Sequence, residues 1–289
     1  MQKKLLLVDG HNLLFQMFYG MPNKIEGKNG KHIEGIWGFT GALLKIINII
    51  EPTHICVIFD GEQTLYRSKE FENYKQNRID YSKVEEEKNP FTILPDIKNV
   101  LKELNIAFFE TEDGYETDDY MKEYCKTYES SCDIVISSWD YDYISLVSDK
   151  INLLTYKGKN SVLYTKEKVL SKWKVEPEYF ADYKALVGDA SDSIAGIPRI
   201  GPKMASQLIQ EFGHVESILE HIEDIKKENI RLTLDIFQKE LLQNIKLIRL
   251  NGTGTLPFLL EQLDYSYGNV KTKEVLIRCD LLEPQVQPA

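Results

Sequence analysis

Short apolar runs, several of which end in an acidic residue, recur through the first half of the chain. Four such runs occupy residues 4–8, 55–59, 106–109 and 134–137. Their length and enrichment in Val, Ile, Leu and Phe are typical of buried β-strands. Asp9 and Asp60 follow two of them directly, and Asp140 lies three residues beyond another. The pattern therefore predicts strands whose carboxyl ends carry acids.

Helical periodicity separates these strands and dominates the rest of the chain. Helices are predicted at about 37–50, 95–104, 117–128, 177–187, 202–212 and 231–249. Strands that alternate with helices indicate an α/β fold with a mostly parallel central sheet flanked by helices. Ligands of such sheets bind beyond the carboxyl ends of the strands, where these acids fall.

The pattern divides the chain into two predicted domains. Residues 1–175 form an α/β domain, and residues 176–289 form a helical domain. Within the first domain, residues 62–93 are polar and contain Arg67, Lys75 and Arg78. This stretch is predicted to be a partly helical insertion over the upper edge of the sheet, although its composition also fits a solvated surface loop.

Composition narrows the class of protein. In 289 residues with 43% hydrophobic residues, no apolar run reaches the roughly 18 needed to cross a bilayer, so a cytoplasmic protein is expected. The four cysteines form no CxxC pair, which disfavours a zinc site or a disulfide framework. The net charge of −10 weakens a nucleic-acid interpretation, but setting aside nine candidate metal-binding acids leaves −1.

Nine acids in five stretches of the chain are candidate ligands of metal ions. They are Asp9, Asp60, Glu116, Asp118, Asp119, Asp140, Asp142, Asp189 and Asp192. Each could alone be a turn residue or a helix cap. Together, without His or Cys in these clusters, they match the oxygen ligands preferred by Mg²⁺ or Mn²⁺. Two such ions about 3.5–4 Å apart can activate water and stabilise a leaving oxygen during phosphodiester hydrolysis.

Five segments resemble one known family in their order and sequence. They are LLLVDGHNLLF (5–15), VIFDGEQTLYRSKEFENYKQNR (57–78), GYETDDY (114–120), VISSWDYDYISLV (135–147) and LVGDASDSIAGIPRIGPKMASQLI (186–209). The chain resembles the 5′-nuclease, or flap endonuclease, family, in particular the 5′–3′ exonuclease domain of bacterial DNA polymerase I. The resemblance implies a stand-alone, monomeric, structure-specific nuclease of DNA replication and repair, with a PIN-like nuclease core. Its substrates would be DNA 5′ flaps or ends and RNA primers paired with DNA.

The resemblance also assigns roles to individual residues. Asp9, Asp60, Glu116 and Asp118 would bind mainly the first ion, and the other five acids would hold or orient the second. The 62–93 insertion would be a helical arch over the single-stranded 5′ end, with Lys75, Arg78 and Arg67 as catalytic basic residues. A helix-hairpin-helix (H3TH) module near 188–212 would bind the duplex backbone and, in relatives, often a K⁺ ion. Its DNA-binding candidates are Gly196, Ile197, Ile200, Gly201 and Lys203.

Three features depart from the family pattern. Tyr141 replaces a frequent lysine between the paired aspartates, and Trp139 replaces a small residue, so it is expected to pack the strand end or stack on a base. Pro198 and Arg199 stiffen the hairpin and add a charge. These departures bear on rate and substrate preference rather than on reaction class.

Two other functions fit parts of the sequence. A catalytically silent protein that grips branched DNA would use the hairpin alone. A phosphatase with a nucleophilic aspartate after its first strand is loosely compatible with Asp9. That chemistry needs a second aspartate two residues later, where this chain has His11. The nuclease interpretation is therefore preferred.

Overall fold

A six-stranded sheet forms the centre of the computed structural model, which describes residues 2–61, 79–266 and 268–284. Its strands are β1 (Lys4–Asp9), β2 (His54–Phe59), β3 (Ala107–Glu110), β4 (Asp133–Ser137), β5 (Ile151–Thr155) and β6 (Val162–Tyr164). The strand order is β3-β2-β1-β4-β5-β6. The first five strands are parallel and β6 is antiparallel, so the predicted mostly parallel sheet is confirmed.

Both faces of the sheet are covered at its centre, which explains why the middle residues of β1, β2 and β4 are apolar and buried. Leu5 and Leu7 of β1 point into one hydrophobic core, and Leu6 and Val8 point into another. All four side chains are fully buried. The alternation follows from the two-residue period of a strand, which sends successive side chains to opposite faces.

Helices account for most of the remaining structure. The first part of the chain contains α1 (Gly10–Gly20), α2 (Glu34–Ile50), α3 (Leu94–Glu103), α4 (Thr117–Tyr128) and α5 (Lys166–Trp173). The second part contains α6 (Phe180–Val187), α7 (Pro202–Phe212), α8 (Val215–Glu220), α9 (Glu228–Ile236), α10 (Gln238–Ile248) and α11 (Thr272–Arg278). None of the helices in the described ranges combines the length and apolar character that crossing a bilayer requires.

Two helix predictions need correction. The single helix expected at 231–249 is two helices, α9 and α10, because the chain leaves helical geometry at Phe237. The first helix, α1, was not predicted, because Asp9 and Gly10 have the composition of a turn. In the structure Asp9 is the N-cap of that helix, and its carboxylate accepts a hydrogen bond from the Asn12 amide.

A short hairpin joins two helices, α6 and α7, in the second part of the chain. Strands β7 (Gly188–Asp189) and β8 (Ile194–Ala195) pair antiparallel between α6 and α7. Asn244 of α10 donates hydrogen bonds to the carbonyl oxygens of Ala185 and Ala195, which fixes the hairpin on the helix bundle. The predicted helix-hairpin-helix arrangement is therefore present.

Most of the predicted arch lies outside the described residues, including Arg67, Lys75 and Arg78. Its described part consists of three short 3₁₀ helices, Tyr81–Lys83, Glu86–Lys88 and Pro90–Ile93. The rings of Tyr81 and Phe91 pack against Phe15 of α1, so this stretch is attached beside the carboxyl ends of β1 and β2.

Candidate active site

Acids from separate stretches of the chain meet at the carboxyl-end edge of the sheet. They line one open cavity of about 1140 Å³, which contains Asp9, Asp60, Glu116, Asp118 and Asp140. Three of them lie at or just beyond the ends of β1, β2 and β4, and the other two lie at the start of α4. The parallel topology explains the convergence, because neighbouring parallel strands all end at the same edge.

Asp9 is the most centrally placed of these acids. Beside the Asn12 amide, its carboxylate accepts hydrogen bonds from the hydroxyls of Ser138, at 2.9 Å, and of Tyr143, at 3.5 Å. Burial and the nearby charge of Asp60 raise the pKa of Asp9 to about 6, despite the donors that oppose the shift. A cation bound beside Asp9 would favour the ionised carboxylate and so oppose both effects.

Asp60 has a different environment at the end of β2. Its carboxylate accepts hydrogen bonds from the backbone amide and the hydroxyl of Thr117, both at 2.8 Å. Burial acts to raise the pKa of Asp60, but the neighbouring His11 ring and the Thr117 donors outweigh it, so the net pKa is well below the ordinary value. Asp60 is therefore ionised in the metal-free protein.

The first turn of α4 supplies three acids with different contacts. Glu116 is the N-cap, and its own amide donates to the carboxylate of Asp119 at 3.1 Å in a capping box. Asp118 accepts a 2.7 Å hydrogen bond from Tyr143. Glu116 and Asp118 line the cavity, whereas Asp119 braces the helix start. The capping interpretation is thus correct for Asp119, but Glu116 faces the cavity as well as capping the helix.

Asp140 connects this cavity to a second group of acids. It accepts a 2.8 Å hydrogen bond from the Asp142 amide, which turns the chain into a 3₁₀ helix. The chain therefore turns between Asp140 and Asp142 instead of continuing as an extended strand. Burial and the charge of Asp142 raise the pKa of Asp140 to about 7.

The second group consists of Asp142, Asp189 and Asp192. One carboxylate oxygen from each lies within 4.8 Å of the others, a spacing that suits ligands around one divalent ion. Asp189 lies in β7, and Asp192 lies in the turn that follows β7. Burial acts to raise the pKa of Asp189, but Lys184 outweighs it and lowers that pKa.

Lys184 is the main functional candidate that the sequence did not reveal. It lies in the last turn of α6, its side chain is 13% exposed, and its ammonium contacts both Asp142 and Asp189. A lysine on the helix FADYKALV, five residues before Asp189, was the available signal. Four other contacts were also missed, because they depend on packing: those of Ser138, Tyr143, Thr117 and His11.

His11 is held beside Asp60 by its surroundings. Its Nδ1 accepts a hydrogen bond from the Asp60 amide at 3.1 Å and lies 3.7 Å from the carboxylate. Its ring packs on Phe15, Phe59 and Phe91. Nε2 is buried and has no hydrogen-bond partner within the described ranges. His11 therefore shapes the cavity wall through aromatic contacts and one backbone hydrogen bond, and its ring also lowers the pKa of the adjacent Asp60 carboxylate.

The hairpin candidates fall into two groups. Ile197 and Ile200 are buried, and their amides already donate to the carbonyls of Leu186 and Ile197. Gly196 is tightly enclosed, since a Cβ there would lie 2.1 Å from the Val187 carbonyl oxygen. Gly201, by contrast, is exposed at the N-cap of α7, and Lys203 is exposed in its first turn.

The three features that depart from the family pattern have defined contacts. Trp139 is 41% exposed, its indole N–H donates to the Tyr156 carbonyl, and Lys157 lies over its ring at 4.4 Å. The expected packing role is therefore present, and part of the ring is open to solvent. Tyr141 contacts the rings of Tyr164 and Trp173. Arg199 adopts a left-handed conformation, with φ of 66°, directly after Pro198.

Comparison with known families and proteins covers nearly the whole chain. A family model described as the N-terminal, resolvase-like domain of 5′-3′ exonuclease matches residues 4–174. A second, described as the C-terminal SAM fold of 5′-3′ exonuclease, matches residues 175–271. The chain is 32% identical to Bacillus subtilis DNA polymerase I over 271 residues, which are 93% of this chain but 30% of that protein.

A relative of more similar length and several solved structures also match. A "5′-3′ exonuclease" of Aquifex aeolicus is 33% identical over 230 residues, covering 78% of this chain and 75% of the relative. The bacteriophage T5 D15 protein co-crystallised with metal ions matches with a TM-score of 0.69 and 24% identity, covering 85% of this chain and 89% of that one. The catalytic core of Rad2 in complex with DNA matches with a TM-score of 0.60, 15% identity and coverage of 96% and 92%. These structures establish similarity of fold.

Proposed function

Because the chain belongs to the 5′-3′ exonuclease family, we propose that it is a structure-specific 5′ nuclease. It hydrolyses phosphodiester bonds at DNA 5′ flaps or ends, as a 5′–3′ exonuclease or flap endonuclease, during replication and repair. The observation that carries this proposal is the convergence of Asp9, Asp60, Glu116, Asp118 and Asp140 in one cavity. The chain spans about a third of the length of the polymerase relatives, so their whole activity is not transferred.

The two groups of acids fit two divalent cations, Mg²⁺ or Mn²⁺. Asp9, Asp60, Glu116 and Asp118 would hold the first, while Asp142, Asp189 and Asp192 would hold the second, with Asp140 between the groups. Carboxylate oxygens suit hard cations, and burial together with a neighbouring carboxylate raises the pKa values of Asp9 and Asp140. Asp119 orients Glu116. When bound, these ions supply Lewis-acid activation of water and stabilise charge on the phosphate.

Side chains around the cavity keep the metal-binding carboxylates in position. Tyr143, Ser138 and Thr117 donate hydrogen bonds to the carboxylates and fix their orientation. Burial raises the pKa of Tyr143 well above its usual range, so its hydroxyl keeps the proton that it donates to Asp118. Such outer contacts set the position and basicity of ligands. A phosphate group entering the cavity would therefore meet carboxylates that are already oriented.

Substrate binding is proposed to use two further regions. Lys75, Arg78 and Arg67 of the arch would stabilise negative charge near the scissile phosphate. In the hairpin, exposed Gly201 and Lys203 at the start of α7 would contact the duplex backbone, while Gly196, Ile197 and Ile200 shape the turn. Contacts with the phosphate backbone do not distinguish one base from another, which supports recognition of DNA structure rather than of sequence. A K⁺ ion in the hairpin is proposed on the family resemblance alone.

Several finer proposals accompany this function. The boundary near residue 175 would separate a nuclease domain, 1–175, from a DNA-binding domain, 176–289. The chain would act as a monomer in the cytoplasm and would also accept RNA primers paired with DNA. Size-exclusion chromatography with light scattering tests whether the chain is a monomer. A cleavage assay on an RNA primer paired with DNA tests whether the chain accepts that substrate.

The decisive experiment uses a 5′-flap oligonucleotide labelled at both ends. Purified protein with Mg²⁺ or Mn²⁺ is expected to release labelled 5′ fragments, and EDTA is expected to stop the reaction. Binding of the flap without any product in either metal would contradict the nuclease proposal and favour a silent branched-DNA-binding protein. A covalently closed circular duplex, which has neither a flap nor a free 5′ end, serves as the substrate control.

A further inference from the structure

A lysine ammonium lies inside the group of acids assigned to the second ion. Lys184 contacts Oδ1 of Asp142 and Oδ2 of Asp189, two of the three acids whose oxygens lie within 4.8 Å of one another. All three interacting side chains are largely buried, with 13%, 7% and 10% exposure. Within the described ranges, Asp142 and Asp189 have no ion pair with any other basic residue.

An ammonium group and a divalent ion would both bind the oxygen atoms of these carboxylates. The ammonium has three N–H donors and needs oxygen acceptors, and a divalent ion needs the same oxygens as ligands. Cations that share ligand oxygens repel each other strongly at such short separation, because the site is buried. Lys184 and an ion therefore compete for Asp142 and Asp189.

We propose that the Lys184 ammonium occupies the second-ion position when no metal is bound, and must withdraw for the second ion to bind. This inference rests on the proposed two-ion function. The residue acts as an internal competitor, so the second position has a lower affinity for metal than its carboxylates alone would give it. The flexible four-carbon side chain allows the charge to move while the backbone of α6 stays in place.

The contact of Lys184 with Asp142 also connects the two segments of the chain that the two family models match. Asp142 belongs to the segment 4–174, whereas Lys184 and Asp189 belong to the segment 175–271. In the metal-free protein the lysine therefore holds the two segments together at the site. A bound ion would take over this bridging role, because it would have ligands from the same two segments.

Mn²⁺ titration of the metal-free 289-residue chain by isothermal calorimetry tests the proposal without DNA or cleavage. In Lys184→Met, the affinity of the weaker Mn²⁺ site is expected to rise by about tenfold or more, because a competing positive charge is gone. Lys184→Arg retains the charge, so its weaker site is expected to stay weak. Lys122→Met is the matched control, since Lys122 is a half-buried helical lysine that donates to the Leu250 carbonyl, and its charged neighbours are Arg249, Lys126, Asp119 and Glu123 rather than the second group of acids.

Thermal unfolding gives a second readout. Lys184→Met is expected to melt lower than the wild type in EDTA, and to gain more stability from Mn²⁺ than the wild type gains. An unchanged or weakened second site in Lys184→Met would overturn the proposal and leave Lys184 as a structural ion pair. Equal tightening in Lys184→Arg would also overturn it. If flap cleavage failed while these shifts appeared, the nuclease function would fall but the competition would stand.

Discussion

The two acidic groups differ in what holds them when metal is absent. In the first, Asp9, Asp60 and Asp118 are positioned by neutral donors of the protein, such as Tyr143. In the second, Asp142 and Asp189 surround the charged Lys184. The first group stands on the ends of a buried parallel sheet, whereas the second joins two segments of the chain. One site is therefore preorganised by the fold, and the other is organised by a cation.

The largest expected effect comes from breaking the first group. Asp9→Asn keeps the size of the side chain but removes the central negative charge. We expect flap cleavage in Mg²⁺ to fall by about 1000-fold or more, beyond the 10–100-fold typical of losing a supporting contact. Single-turnover kinetics measures this change. Asp133→Asn, at the opposite end of the sheet, is the control and is expected to cleave like the wild type.

The pH dependence of stability should show the cost of ionising Asp9, which is buried beside the Asp60 carboxylate. Asp9 has a folded-state pKa raised to about 6, so between pH 4 and 6 the native state binds more protons than the unfolded state. Stability should therefore fall as pH rises through this window, by at most about 3 kcal/mol from Asp9. Asp60 and Asp189 have lowered pKa values, so their contributions are complete above pH 5.

Urea denaturation in EDTA at pH 4.5 and 7.5 checks this sign. The Asp9→Asn variant should lose part of the pH-dependent decline, and saturating Mg²⁺ should stabilise the wild type more at pH 7.5 than at pH 4.5. A wild-type protein that Mg²⁺ stabilises equally at both pH values would argue against surplus negative charge at this site.

A smaller effect is expected from the neutral donors of the first group. Tyr143→Phe removes the hydroxyl that donates to Asp118 at 2.7 Å, and is expected to lower metal affinity or cleavage by about 10–100-fold. Tyr124→Phe is the matched control, because Tyr124 is also buried and donates to the Phe258 carbonyl away from the cavity. Similar losses in both variants would point to general destabilisation instead.

The smallest expected effect is a difference in stability between alanine variants of two hairpin glycines, Gly196 and Gly201. Gly196→Ala places a methyl group against the Val187 carbonyl and should cost about 1–3 kcal/mol of stability. Gly201→Ala has open space around its new methyl group and should leave the melting temperature within a degree or two of the wild type. Calorimetry distinguishes these outcomes. Reduced duplex binding by Gly201→Ala, with unchanged melting, would support close approach of DNA to this backbone.

The sequence predicted the parts of the fold that depend on local pattern. Apolar runs located β1 to β4, and the parallel arrangement placed Asp9, Asp60 and Asp140 at one edge. Contacts that depend on packing between distant residues were not predictable in this way. Lys184 looked like an ordinary helix residue, since its meeting with Asp142 requires α6 to pack beside the turn after β4. The chemistry of the second group depends on that contact.

The placement of Asp119 and Asp192 shows a related limit. Asp119 shares a helix turn with Glu116 and Asp118, yet it bonds the helix start while they face the cavity. Asp192 lies three residues after Asp189, but Asp189 belongs to strand β7 and Asp192 to the turn of the β7–β8 hairpin. Spacing in sequence identifies candidate ligands. The direction of each side chain depends on the backbone conformation at the helix start or turn where the residue lies.

Anomalous diffraction from a crystal soaked in Mn²⁺ tests the central claim most directly. The account predicts two manganese peaks, one among Asp9, Asp60, Glu116 and Asp118, and one among Asp142, Asp189 and Asp192 with the Lys184 ammonium moved away. The absence of manganese from both groups at saturating concentration, in a crystal with this fold, would contradict the account.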